Sequence, residues 1–302
     1  MNPRVVAVVG PTATGKSDLA VALARQLGGE VVNADAMQLY RGMDIGTAKL
    51  PAVARCGVHH HLIDVLDVTE TASVAAYQRD ARRVVDELLT AGRVPVLAGG
   101  SGLYVRAVLD ELEFPGTEPE LRAELEAELA EQGAPALHKR LRRLDPVAAG
   151  RILPSNGRRL VRALEVIQIT GRPFSATLPQ PGSARYRAVI VGLDTDPAVL
   201  DARIGDRVDR MFAQGLVAEV RDLLSRGLRE GRTASRALGY QQVMAALDAG
   251  TDPALAAGPI AAATRRFVRR QRSWFRRDDR ITWLDCRQPD LLERALAHTM
   301  DG

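Results

Sequence analysis

The sequence predicts an α/β protein: a parallel sheet core flanked by helices, with an inserted all-helical domain. Three features of the chain predict it. The first hundred residues alternate short β-rich runs with amphipathic helical stretches, residues 120–170 carry one helical pattern after another between two breaker-rich segments, and an apolar run at 188–193 resumes strand character beyond them.

The first strand is read at 5–9, where Val5 to Val9 form a continuous apolar run of the kind that is buried on both faces of a parallel sheet. Gly10-Pro11-Thr12-Ala13-Thr14-Gly15-Lys16-Ser17 follows it directly and opens a helix at 18–27. This order of strand, glycine-rich loop, Gly-Lys-Ser and helix is that of a phosphate-binding loop. Its glycines let backbone N–H groups face a phosphate chain, Lys16 adds a point charge, and the Ser17 hydroxyl suits Mg²⁺. Loops of this type serve ATP-binding and other nucleotide-binding proteins, kinases, and transferases that release pyrophosphate, so the motif leaves the fate of the phosphate chain open.

Further along, strands are expected at 30–32 and 94–98, with a short one near 61–65, and a helix at 74–91. A linker at 113–119 precedes a helix at 120–132, whose Leu121, Leu125 and Leu129 share one face, and helices follow at 136–144, 146–152 and 157–170. A second breaker-rich stretch, 171–183, contains Pro173, Pro179 and Pro181. The predicted division is therefore an α/β core at 1–112 and 185–302, and a helical insertion at 113–184. The core resumes with the strand at 188–193, helices at 197–226, 240–249 and 259–276, a strand at 281–284 and a helical tail.

With 302 residues, 46% of them hydrophobic, the chain can bury a full core. No apolar run reaches the ~18 residues of a membrane span, and the N-terminus has no signal-peptide pattern. A cytoplasmic location is the default expectation. The cysteines, Cys56 and Cys286, stand far apart and outside any CxxC spacing, which argues against a disulfide framework or zinc module. The net charge of +4 hides an uneven field, because the basic residues are nearly all arginine and gather in the second half.

Three polar clusters fall just beyond strand ends, where ligands gather in open α/β sheets: the phosphate loop, Asn33 to Gln38, and Gly99 to Tyr104. Asp35 is the candidate general base; the competing reading is a turn-capping aspartate. Ser101 can contact a ligand or cap a helix, and the two roles can coexist. Arg203, Arg207 and Arg210 share a helical face, and one of them reaching the phosphate loop would grip a pyrophosphate oxygen pair. The run from Arg265 to Arg277, with Phe267, Trp274 and Phe275 interleaved, has the pattern of a nucleic-acid surface. His59-His60-His61 is not read as a metal site, since consecutive residues on an extended segment face alternately and no spaced Cys or carboxylate set completes it. Asp64 and Asp67 are read as polar residues around the short strand.

Taken together, these residues resemble the bacterial tRNA dimethylallyltransferase family, the isopentenyl transferases that modify the adenosine 3′ of certain anticodons. The motifs that carry the resemblance are GPTATGKS at 10–17, NADAMQLYRGMDIGTAK at 33–49, HHLIDV at 60–65, GGSGLY at 99–104, RRLVRALEV at 158–166, TGRPFS at 170–175 and RQRSWFR at 270–276. It implies a P-loop NTPase-like core. The loop Gly10 to Ser17 would bind the diphosphate of dimethylallyl diphosphate, with Mg²⁺ on Ser17. Asp35 would take a proton from the adenine N6 amine, Ser101 would hold the base, and Lys16 and Arg207 would stabilise the departing pyrophosphate.

By the same resemblance the tRNA anticodon stem-loop would meet Asp35, Ala36, Met37, Gln38, Ser101, Arg122, Arg158, Arg159, Leu160, Val161, Arg162, Arg236, Gly239 and Tyr240. The implied enzyme is a monomer with no membrane partner. Ala36 stands where serine is common in the family and Ser101 where threonine is common. Two cysteines cannot build the zinc finger of the eukaryotic relatives. Two other classes compete: a small-molecule kinase or NTPase, which should also show a second aspartate on a core strand for Mg²⁺ and a nucleotide-base pocket, with no convincing strand of that kind in the sequence, and a non-catalytic RNA-binding module, which leaves the loop and Asp35 unexplained.

Overall fold

The computed structural model describes residues 5–177 and 184–301. Six parallel strands run in the order β3-β2-β4-β1-β5-β6: β1 Val5–Val9, β2 Glu30–Asn33, β3 His60–His61, β4 Pro95–Gly99, β5 Ala188–Asp194 and β6 Ile281–Asp285. Alternation along β1 explains its unbroken apolar sequence. Val5, Ala7 and Val9 enter one apolar layer, and Val6 and Val8 enter the layer on the opposite face. The first layer is covered by α2 (Val74–Thr90) and α3 (Gly102–Leu109), the second by α1 (Lys16–Leu27) and α11 (Leu291–Asp301).

The chain moves outward from β1 to β2 and β3, returns to place β4 between β2 and β1, and crosses to β5 on the other side. That reversal opens a crevice at the carboxyl ends of β1 and β4. The loops after β1, β2 and β4 all end at this side of the sheet. Among the described residues no helix is long and apolar enough to cross a membrane.

The chain divides into two compact units, Met1–Leu109 with Tyr186–Gly302, and Asp110–Arg185. Within the second, α4 (Pro119–Leu144), α5 (Pro146–Arg151) and α6 (Gly157–Thr170) enclose a core of Leu125, Leu137, Leu141, Leu160, Val161 and Leu164. The helix α4 is two helices abutting at Gly133, whose φ of 78° and ψ of 164° break the helical path just before Pro135. Residues 178–183 of the expected proline-bearing stretch, with Pro179 and Pro181, lie outside the described residues.

Two expectations need correction. The helix read at 197–226 is two, α7 (Pro197–Ala213) and α8 (Leu216–Ser225), separated at Gly215 with φ of 100°. The apolar stripe runs on through Met211, Leu216 and Val220, so periodicity alone spans the break. The strand near 61–65 is confined to His60–His61, because Leu62 and Asp64 adopt left-handed φ of 59° and 58°. The helix that Ser101 could cap is α3, whose span was not assigned because its residues are apolar nearly throughout and leave no periodic signature. The remaining helices of the first unit, α9 (Tyr240–Asp248) and α10 (Ala257–Phe275), fall close to their predicted spans.

Candidate active site

A cleft of about 410 Å³ lies in the first unit, lined by the phosphate loop, Asp35, Gln38, Thr47, Ala98 to Gly100, Arg203, Arg207 and Arg210. All three polar clusters expected at strand ends border it or adjoin it. Gly10 fixes the path of the loop as it leaves β1. With φ of 135°, its backbone passes so close to β5 that a Cβ would stand 2.2 Å from the Leu193 carbonyl oxygen, so only glycine fits. Thr14 is buried, and its hydroxyl donates to the Pro11 carbonyl at 2.9 Å, shaping the loop.

Lys16 donates from Nζ to the same Pro11 carbonyl at 2.6 Å. Burial, aided by the Arg207 charge, pulls its pKa down to about 8. Arg207 is itself lowered by burial. It donates to the Thr47 carbonyl at 3.4 Å, and Arg203 donates to the Ala13 carbonyl at 3.4 Å. Three arginines, Arg203, Arg207 and Arg210, and one poised lysine thus face a pocket whose lining carboxylates are Asp18 and Asp35, a cationic excess of the kind an anion site requires. Ser17, half-buried at the start of α1, presents a hard oxygen donor to the same cleft, which fits Mg²⁺ shared with phosphate oxygens.

Of the two roles weighed for Asp35, the geometry displays the turn-capping one and leaves the other open. Its Oδ1 accepts the Met37 N–H at 2.9 Å, while its own N–H donates to Asn33 Oδ1 at 2.9 Å. Asn33 is in turn tied to the Leu62 carbonyl, and its own carbonyl accepts the Tyr77 hydroxyl. The turn therefore aims the carboxylate. No described residue donates to Oδ2, which leaves that oxygen available to a substrate. Ser101 accepts at its carbonyl from the N–H groups of Tyr104 and Val105, so it stands at the N-cap position of α3 with a half-buried side chain beside the cleft.

The loop from Asp35 to Lys49 is clamped from two directions. Lys49, with its side chain 3% exposed, bridges Asp44 at 2.5 Å and Asp64 at 2.6 Å and also donates to the Tyr40 carbonyl. Glu219 on α8 accepts the N–H groups of Asp44, Ile45 and Gly46 and the Tyr240 hydroxyl. At Gly46 a Cβ would stand 2.4 Å from the Tyr240 ring, so this glycine is needed for close packing. Sequence reading missed Lys49 and Glu219 because an isolated lysine or glutamate carries no local signal of burial.

Gln271, embedded in the arginine run, was also missed. It is buried on α10, accepts the Thr12 N–H at 3.0 Å and donates to the Gly100 carbonyl at 2.9 Å, bridging the phosphate loop and the loop after β4. Replacing Gln271 with leucine leaves the buried Gly100 carbonyl without its partner, worth about 1–3 kcal/mol, and frees the part-buried Thr12 N–H at the cleft. We expect Gln271→Leu to lower the thermal midpoint by several degrees and to raise KM for the phosphate-bearing substrate more than it lowers kcat, both measurable on the same preparation.

Burial separates the residues expected to meet tRNA. Leu160 and Val161 are 0% and 2% exposed in the core of the helical unit, and Tyr240 is 0% exposed beneath Glu219. Their side chains are packing residues, placed on the same helical turns as polar neighbours. Gly239 is buried as the cap of α9, with its N–H donating to Gln242. Arg158, Arg159 and Arg236 are exposed, and Asp35 to Gln38 are half-buried. Arg122 and Arg162 both pair with Glu165, a carboxylate 0% exposed whose pKa they help hold down against burial. In the arginine run, Arg272 and Arg276 pair with Asp194, Phe275 is buried and Trp274 remains 41% exposed. The run is therefore part structure and part surface.

The comparisons with known proteins agree with one another. The family model described as IPP transferase matches residues 38–278, and one described as isopentenyl transferase matches residues 3–61. A tRNA dimethylallyltransferase of Saccharopolyspora erythraea is 70% identical over 289 residues, covering 96% of this chain and 93% of that protein. Among solved structures, a full-length tRNA isopentenylpyrophosphate transferase from Bacillus halodurans has a TM-score of 0.72 at 40% identity, covering 98% of this chain and 95% of the other. A eukaryotic dimethylallyltransferase acting on tRNA has a TM-score of 0.86 at 25% identity, covering 99% of this chain and 79% of the other. Those structures carry the P-loop NTPase-like core that the parallel sheet and its phosphate loop display here. With a family model spanning most of its length and a relative this similar, the chain belongs to the IPP transferase family, that of the tRNA dimethylallyltransferases.

Proposed function

We propose that this protein transfers a dimethylallyl group from dimethylallyl diphosphate to N6 of the adenosine immediately 3′ of the anticodon in tRNA, releasing pyrophosphate. The observation that carries this reading is the joining of Asp35 to the phosphate loop, Lys16 and Arg207 in one cleft. A base and an anion holder side by side suit displacement of a diphosphate by an amine.

In this reaction the N6 lone pair forms the bond to C1 of the allyl group, the C1–O bond breaks, and its electrons leave on pyrophosphate. The N6 proton passes to Asp35 Oδ2, the carboxylate being held in place through Oδ1. Loop amides, Lys16 and Arg207 stabilise the charge that develops on the leaving group, and Ser101 positions the base. Ser17 would hold Mg²⁺ against the diphosphate, an ion that supplies further charge neutralisation when bound. The adenine must leave its stack to enter the cleft, as base-modifying enzymes require. Exposed Arg158, Arg159 and Arg236, with Ala36, Met37 and Gln38 at the cleft, would meet the anticodon stem-loop, with the helical unit as a tRNA-binding module. In this reading the chain works as a cytoplasmic monomer.

The kinase alternative needs a second carboxylate at a strand end facing the loop. The carboxylate at the end of β5, Asp194, is instead occupied by Arg272 and Arg276 and does not line the cleft. Incubation with labelled dimethylallyl diphosphate and unmodified tRNA, followed by digestion to nucleosides, should place the label on N6 of adenosine. Label remaining on the diphosphate while ATP is consumed would support the kinase instead.

A further inference from the structure

The histidine triplet lies apart from the cleft, and the register of the sheet gives it a geometry that its sequence conceals. β3 pairs with β2 so that His60 stands beside Val31 and His61 beside Val32, and the Val31 N–H donates to the His59 carbonyl at 2.9 Å. Because successive strand residues alternate, His59 and His61 fall on the face shared by Glu30 and Val32, and His60 falls on the other. Val32 belongs to the apolar layer beneath α2, so this is the α2 face. The carboxylate missing from the local sequence is therefore supplied by the neighbouring strand.

The ligand atoms of Glu30, His59 and His61 all lie within 4.8 Å of one another. His61 Nε2 is 2.6 Å from Glu30 Oε2, and the His59 and His61 rings meet edge to face with centroids 4.3 Å apart. The Arg93 guanidinium pairs with the other carboxylate oxygen, Oε1. Arg83 and Glu87 of α2 lie within electrostatic reach and pair with each other at 2.8 Å. His59 is exposed, so the cluster opens to solvent. It sits at the amino ends of β2 and β3, whereas the transfer cleft lies at the carboxyl ends.

We propose that Glu30, His59 and His61 form a binding site for a divalent transition-metal ion of the zinc class. Two imidazole nitrogens and one carboxylate oxygen favour zinc and its neighbours over magnesium or calcium. Bonds of about 2.0–2.2 Å place tetrahedral ligand atoms roughly 3.3–3.6 Å apart, so the observed spread closes with small side-chain rotations. The ion replaces the contact between His61 and Glu30 Oε2, water completes its coordination at the exposed side, and Arg93 retains Oε1, orienting the carboxylate. Its consequence is mechanical: the two-residue edge strand β3 becomes cross-linked to β2.

Titration of the full chain with ZnCl₂ against a chromogenic chelator tests this, with Co²⁺ and its visible absorption as a second probe. One equivalent should bind, and zinc should raise the thermal unfolding midpoint. His59→Asn and Glu30→Gln should each weaken binding at least about tenfold and remove the thermal shift, while His60→Asn and Cys56→Ser should leave both unchanged. His59 is exposed, so its variant keeps the fold. Absence of binding, equal binding by His59→Asn, or loss in His60→Asn or Cys56→Ser as large as in His59→Asn would overturn the proposal.

Discussion

Asp35→Ala is expected to lower kcat for allyl transfer by about 10²–10⁴-fold, the range a positioned general base supplies, while tRNA affinity changes less than about threefold. The separation follows from geometry. Asp35 Oδ1 holds the Met37 N–H, but the turn is also held by Asn33, which bonds Asp35 at both backbone N–H and carbonyl. The loop therefore survives loss of the carboxylate, supported by Lys49 and Glu219 farther along. Single-turnover kinetics with saturating dimethylallyl diphosphate and a filter-binding measurement on the same variant check the two halves. Parallel loss of binding and rate would make Asp35 a positioning residue. Asp35→Asn should behave as Asp35→Ala does in rate, because an amide keeps the Met37 hydrogen bond but does not accept a proton.

The second large effect concerns Lys16. Burial and the Arg207 charge lower its pKa to about 8, so the free protein carries a charged lysine below that pH and a neutral amine above it. A bound diphosphate favours the ammonium and raises this pKa, so binding above pH 8 takes up a proton. Diphosphate affinity should therefore fall by up to about tenfold per pH unit above pH 8 and lose this slope below it. Lys16→Met should flatten the slope and lower kcat/KM by about 10²–10³-fold, as removal of a charge-stabilising donor does. Lys16→Arg should flatten it for a different reason, since a guanidinium stays charged throughout the range. Calorimetry with pyrophosphate from pH 7 to pH 10 reads the slope directly, and an unchanged slope in Lys16→Met would assign it to another group.

Much of the core was legible because its strands are buried on both faces. The runs at Val5–Val9 and Ala188–Asp194 have few readings other than central parallel strands, and the phosphate loop marks its own place between strand and helix. Asp35 and Ser101 could be placed near that loop because each follows a strand end. What stayed hidden depends on contacts distant in sequence. Gln271 looks like one more polar residue in a basic run until α10 sets it between Thr12 and Gly100. Glu30 reads as the exposed start of a strand until β3 brings His59 and His61 beside it. Burial also separates residues that a motif groups together: Arg158 and Arg159 are exposed, while Leu160 and Val161, next along the same helix, turn into its core.

The phosphate loop, whose sequence alone leaves the fate of its phosphate chain open, takes a definite task in the proposed reaction. Lys16, Ser17 and Arg207 hold a leaving group in this account, and the nucleophile arrives on a nucleic acid. The most direct test is to measure pyrophosphate release from dimethylallyl diphosphate with and without unmodified tRNA, alongside label incorporated into the tRNA. Release that requires tRNA and matches incorporation one for one is the predicted result. Phosphate release from ATP, with dimethylallyl diphosphate left intact in the presence of tRNA, would contradict it.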